Sequence, residues 1–82
     1  MKLPRDLSGH ELAGLLSRHY GYRRTRSRGS HMTLTLTSGS RAHSVTVPLN
    51  RALRTGTLDA IVSAVSRFLD LPKRDVRETL FG

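Results

Sequence analysis

Apolar positions along this chain follow two different periods. Leu12, Leu15, Leu16 and Tyr20 recur at helical spacing. Ser8-Gly9-His10-Glu11 in front of them has the S-x-x-E spacing of a capping box, in which two side chains satisfy the first orphan amides of a helix. Gly21 behind them offers a stop. A second stripe, Leu58, Ile61, Val62, Val65, Phe68 and Leu69, predicts a longer helix, with Thr57 as its N-cap and Asp59 near its positive end. Pro72 suits the first turn of a short last helix that carries Val76 and Leu80.

Between the first two helices the period drops to two. From His31 to Thr37, Met32, Leu34 and Leu36 take one face of a strand, and His31, Thr33, Thr35 and Thr37 take the other. Ser44 to Val47 reads as a short strand with Val45 and Val47 inward, ended by Pro48. Ser38-Gly39-Ser40 reads as a hairpin turn and Gly29-Ser30 as a second break, so the β-compatible run Tyr22 to Ser27 becomes the third strand. The order is α-β-β-β-α with an extra C-terminal helix, an α+β class. A three-stranded antiparallel sheet of this kind shows one apolar face to its helices and one polar face to water. His31 and the threonines belong to that polar face.

Eighty-two residues make one domain, spanning 1–82, with a modest core. Enclosing a large cofactor would consume most of that core, so function is expected on an open face and no cofactor is expected. There is no cysteine, which removes disulfides and thiolate zinc sites. No signal-peptide run and no stretch of about 18 apolar residues is present, so a cytoplasmic protein without membrane association is expected.

Charge sharpens the picture. Lys plus Arg total 14 against 6 Asp plus Glu, a net charge of +8. From Leu12 to Leu58 there is no acidic residue, while Arg18, Arg23, Arg24, Arg26, Arg28, Arg41, Arg51 and Arg54 fall there, so this segment carries the whole excess. One-signed charge costs self-repulsion that a polyanion offsets. Arginine outnumbers lysine 12 to 2, and its planar fork suits phosphate better than a point charge does. Nucleic acid is the favoured partner; an acidic protein or membrane surface is the other reading.

Four histidines carry the titratable chemistry. His10 and His19 lie on the first helix without acid or metal-ligand partners and read as surface residues. His43 shares parity with Val45 and Val47, so it points inward or frays at the strand start. No H-E-x-x-H motif, carboxylate cluster, nucleophile elbow or P-loop accompanies them, and no metal site is expected. His31 differs by position, at the start of a strand, after Gly29-Ser30, with Arg26 and Arg28 nearby. RNA supplies its own nucleophile in the 2′-hydroxyl, so an enzyme needs only proton transfer and cations for the developing phosphorane charge. An imidazole, with an ordinary pKa of about 6.5, provides the first and arginines the second. From spacing alone, an exposed strand-end histidine remains the simpler description of His31.

Gly21-Tyr22, a basic run and Gly29-Ser30-His31 entering a strand resemble the signature of HicA-type toxins. Thr46-Val47-Pro48 closing a strand, and Gly56-Thr57-Leu58 opening a helix with Ile61 behind it, continue the likeness, which runs from about Leu7 to Leu71. The resemblance implies a fold similar to double-stranded-RNA-binding domains. It also implies an mRNA-cleaving endoribonuclease of a type II toxin–antitoxin system that requires no metal, silenced by a HicB-type antitoxin. It makes His31 the catalytic histidine, as acid or as base, and reverses the preference stated from spacing. Arg24, Arg26, Arg28 and Arg41 then hold phosphates, Ser30 donates one hydrogen bond, and Gly29 completes the RNA-binding turn. One departure stands out: many members carry a histidine two residues after the strand-ending proline, where this chain has Asn50. Two other readings compete. One is a non-catalytic module that clamps double-stranded RNA; the other is a basic face that docks an acidic protein. The shortage of aromatics on the expected polar face argues against base stacking of the RRM kind.

Overall fold

The chain, in a computed structural model, is described over residues 3–82, so Met1 and Lys2 of the expected 1–82 domain lie outside the described residues. Helix α1 spans Gly9–Tyr20. Its capping box forms as the sequence predicts: Glu11 N donates to Ser8 Oγ at 3.0 Å, and Ser8 N donates to Glu11 Oε1 at 2.9 Å. The Ser8 amide and hydroxyl hold the Glu11 carboxyl below its usual range, with the backbone bond the larger cause. Gly21 ends the helix at φ 82°, in the left-handed region where a Cβ is penalised.

Strands β1 (Arg23–Arg28), β2 (His31–Ser38) and β3 (Arg41–Pro48) form an antiparallel sheet in the order β1-β2-β3. Each hairpin turns on the dipeptide Gly-Ser, with Gly29 at φ 57° and Gly39 at φ 60°. Glycine as first central residue, followed by a residue without positive φ, is the pattern of turns that match strand twist. β3 begins three residues before the expected Ser44, because the tight turn starts the ladder at once: Ser38 pairs with Arg41 and the register runs unbroken to His31 opposite Pro48.

Helix α2 spans Thr55–Leu69 and α3 spans Lys73–Phe81. The start of α2 departs from the Thr57 expectation. Arg54 occupies the N-cap with no side-chain cap bond, and Leu58 N already donates to Arg54 O at 2.9 Å. The stripe Leu58, Ile61, Val62 and Val65, all buried, anchors the helix through packing instead. Asp59 is consequently past the first turn, and its carboxylate accepts from Lys73 Nζ at 2.8 Å. Pro72 stands at the N-cap of α3, one residue earlier than predicted.

All three helices cover one face. Met32, Leu34, Val45 and Val47 from the sheet meet Leu12 and Leu16 of α1, the α2 stripe, and Val76 and Leu80 of α3. This is the α-β-β-β-α fold with an added helix that the sequence predicts. At one end of the sheet, α1 presses against the β3–α2 connection. Gly9 N donates to Asn50 O at 3.0 Å, and a Cβ on Gly9 would stand 2.0 Å from Pro48 O. Among the described residues no helix is long and apolar enough to cross a membrane.

Candidate nucleic-acid interface

Side-chain phase in β1 decides which cations share a face with His31. Arg28 pairs with His31, Ser27 with Met32 and Arg26 with Thr33, so Arg26 and Arg28 stand on the polar face. Simple alternation would carry Arg24 there as well. A β-bulge between Arg24 and Arg26 intervenes: Arg24 pairs with Leu34, on the helix-bearing face, and Arg23 with Thr35, on the polar one. The cause lies one residue upstream. Tyr22 is fully buried, and over this length of chain only a break in the alternation lets it point into the core while Arg28 faces out.

The polar face therefore carries Arg23, Thr25, Arg26 and Arg28 from β1, His31, Thr33, Thr35 and Thr37 from β2, and Ala42, Ser44, Thr46 and Pro48 from β3. It holds no carboxylate. Every residue of β1 is exposed. His31 closes the first hairpin directly across from Arg28, where opposed Cβ atoms lie about 5 Å apart. Its ring is exposed, and Ser30 Oγ lies 3.5 Å from Nδ1, the outer limit of a hydrogen bond. The turn beneath is tied to the end of β3, since Leu49 N donates to Ser30 O at 2.7 Å. Asn50 lies two residues beyond Pro48, the residue opposite His31, and is exposed.

A chain of hydroxyls crosses all three strands beside this group. Thr25 Oγ1 lies 2.9 Å from Thr35 Oγ1, which lies 2.8 Å from Ser44 Oγ, and Thr25 Oγ1 also donates to Thr33 O at 3.5 Å. Alternation in the sequence shows these residues as polar; their lateral register was not readable from it.

Two of the expected RNA-contacting arginines lie elsewhere. Arg24 lines a groove between α1 and the sheet, with His10, Ala13, Gly14, Ser17, Tyr22, Met32 and Leu34. Arg41 pairs with Ser38 at the other end of β3, seven residues from Pro48, and its guanidinium sits over the Phe68 ring, 4.7 Å from the centroid. The structure brings Arg26, Arg28, Gly29 and Ser30 to His31 and leaves Arg24 and Arg41 apart from it.

Arg41 belongs to a cluster that the sequence did not reveal. His43 points inward, as its parity predicts, and its Nδ1 lies 2.8 Å from the Tyr22 hydroxyl. Its ring stacks on Phe68 with centroids 4.8 Å apart and planes 15° apart. Burial, with a smaller contribution from Arg67, lowers the His43 pKa. Burial pushes the Tyr22 phenol up to about 12. Tyr22 and Phe68 come from separate elements, so spacing along the chain held no signal for their meeting. His10 and His19 are exposed, and among the described residues no group of three or more His, Asp or Glu is placed to hold a metal ion.

No protein-family model, no curated protein and no solved structure matches this chain. The likeness to HicA-type toxins accordingly rests on the motif residues of the sequence.

Proposed function

We propose that this protein is an mRNA-cleaving endoribonuclease, the toxin of a type II toxin–antitoxin pair, acting in the cytoplasm and restrained by an acidic HicB-type antitoxin. One observation carries the reading. His31 stands exposed on a carboxylate-free face, directly across a hairpin from Arg28 and on the same side as Arg26. A ribose 2′-oxygen attacks the adjacent phosphorus, its proton leaves, and the 5′-oxygen departs with a proton, giving a 2′,3′-cyclic phosphate and a 5′-hydroxyl end. His31 serves one of those proton transfers, and the guanidiniums offset charge on the phosphorane. An antitoxin that covers the same face would block substrate and satisfy the excess cations together.

A single observation favours the alternative, a double-stranded-RNA-binding module without catalysis: His31 is the one imidazole on the polar face, and no carboxylate stands there to take the second proton transfer. Incubating purified protein with long RNA, with and without EDTA, separates the two. Cleavage in both arms, with a His31→Ala variant slower by about 10²–10⁴, supports the nuclease. Intact RNA bound by the protein supports the module. A His31→Ala variant that cleaves at the parent rate removes His31 from the chemistry.

A further inference from the structure

The hydroxyl chain on the polar face keeps most of its protons to itself. The 2.9 Å bond between Thr25 and Thr35 and the 2.8 Å bond between Thr35 and Ser44 each consume one hydroxyl proton, and Thr35 has only one to give, so two of the three protons are spent inside the row whichever way the bonds run. Where Ser44 donates to Thr35 and Thr35 to Thr25, the third proton, on Thr25, turns to the Thr33 carbonyl at 3.5 Å. The row therefore offers outward more lone pairs than protons.

A surface with more lone pairs than protons is a poor seat for phosphate oxygens, which want donors, and suits a partner that carries its own proton. In a nucleic-acid backbone that partner is the ribose 2′-hydroxyl, which DNA lacks. Donors for phosphate lie alongside, on Arg23, Arg26 and Arg28 of the same face. The face carries no Phe, Tyr or Trp, so stacking of successive bases on such rings does not compete as a source of selectivity.

We infer that Thr25, Thr35 and Ser44 form a ribose-sensing row that accepts hydrogen bonds from 2′-hydroxyl groups and makes the site select RNA over DNA. This rests on the proposed function for the presence of a nucleic acid, but not on any cleavage by His31. The row determines specificity and does no chemistry.

The test is equilibrium binding, by fluorescence anisotropy, of three single-stranded 12-mers of one sequence: RNA, DNA and 2′-O-methyl RNA. The protein carries His31→Ala so that no strand is consumed. The 2′-O-methyl strand keeps the ribose oxygen and loses its proton. Expected is RNA binding about five- to tenfold tighter than either of the others, the worth of one or two hydrogen bonds. Adding Thr35→Val, which replaces the hydroxyl by a methyl of the same shape in a strand-favouring residue, weakens RNA to the DNA level and leaves DNA binding unchanged. Ser44→Ala, at an exposed position, gives a selective loss in the same direction and stands in if the Thr35 variant does not fold. Equal affinity for RNA and 2′-O-methyl RNA, or an equal loss on RNA and DNA in both variants, overturns the row while leaving nucleic-acid binding in place. Failure of the parent to bind any of the three strands overturns the proposed function as well.

Discussion

His43 joins the third strand to the second helix through a ring stack and a single hydrogen bond. Burial and the Arg67 cation both disfavour its imidazolium, and Arg41 over the same Phe68 ring adds a second cation to the neighbourhood. A histidine whose folded pKa is lowered takes up its proton first in the unfolded chain. Stability is therefore complete above the unfolded value of about 6.5 and declines as pH falls from there toward the lowered folded value. The midpoint of thermal unfolding should drop between pH 7 and pH 5, and His43→Gln, which keeps an acceptor for Tyr22 without titrating, should flatten that drop. Equal pH slopes in parent and variant would place the sensitivity elsewhere. The inward direction of His43 was legible, since it shares parity with Val45 and Val47. Its partners were not, because Tyr22 and Phe68 lie 21 and 25 residues away in sequence, the first adjoining β1 and the second on α2.

Among the elements, those with local chemistry were the readable ones. Ser8 and Glu11 write the start of α1, Gly21 its end, and the two Gly-Ser dipeptides the hairpins. The start of α2 was misplaced because Thr57 is the better capping residue by type, while the helix is fixed by the burial of Leu58 and Ile61 and begins without a cap. The bulge in β1 left a subtler trace. With Arg28 outward, unbroken alternation from Tyr22 onward would turn Tyr22 to water, a contradiction that the bulge resolves. Close approach is another property of elements that a linear reading misses. Gly9 lets α1 touch the Pro48 carbonyl, and any side chain there meets backbone rather than a flexible group. Gly9→Ala should lower stability by about 2 kcal/mol or more despite the better helix propensity of alanine. Chemical denaturation reads this directly, and a gain in stability would show that the connection yields.

At the scale of the molecule, the helices occupy one face of the sheet, and Arg23, Arg26 and Arg28 stand exposed on the other. Arg18, Arg54, Arg67 and Arg74 are exposed as well, on or beside the helices. The sum of +8 and the acid-free middle segment were plain in the sequence, but their distribution in space was not. Simple alternation grouped Arg24 with Arg26 and Arg28; folding separates them. The separation predicts unequal salt effects. Each cation contacting phosphate on a single strand contributes about 0.7 to the slope of log affinity against log salt. Arg26→Ala and Arg28→Ala should each reduce the slope by about that amount, and Arg41→Ala should leave it unchanged. A slope that responds equally to all three would mean that RNA wraps both sides of the sheet.

The bulge also bears on how the length of β1 can vary. If Thr25 were lost, Arg24 would follow directly on Arg26 in the ladder, Tyr22 would still enter the interior, and the guanidiniums opposite His31 and Thr33 would keep their side. A shorter sibling of this chain would then differ at one end of a proton-spending row and nowhere in its hydrophobic interior, so natural shortening at this point would alter what the surface distinguishes before it altered whether the protein folds.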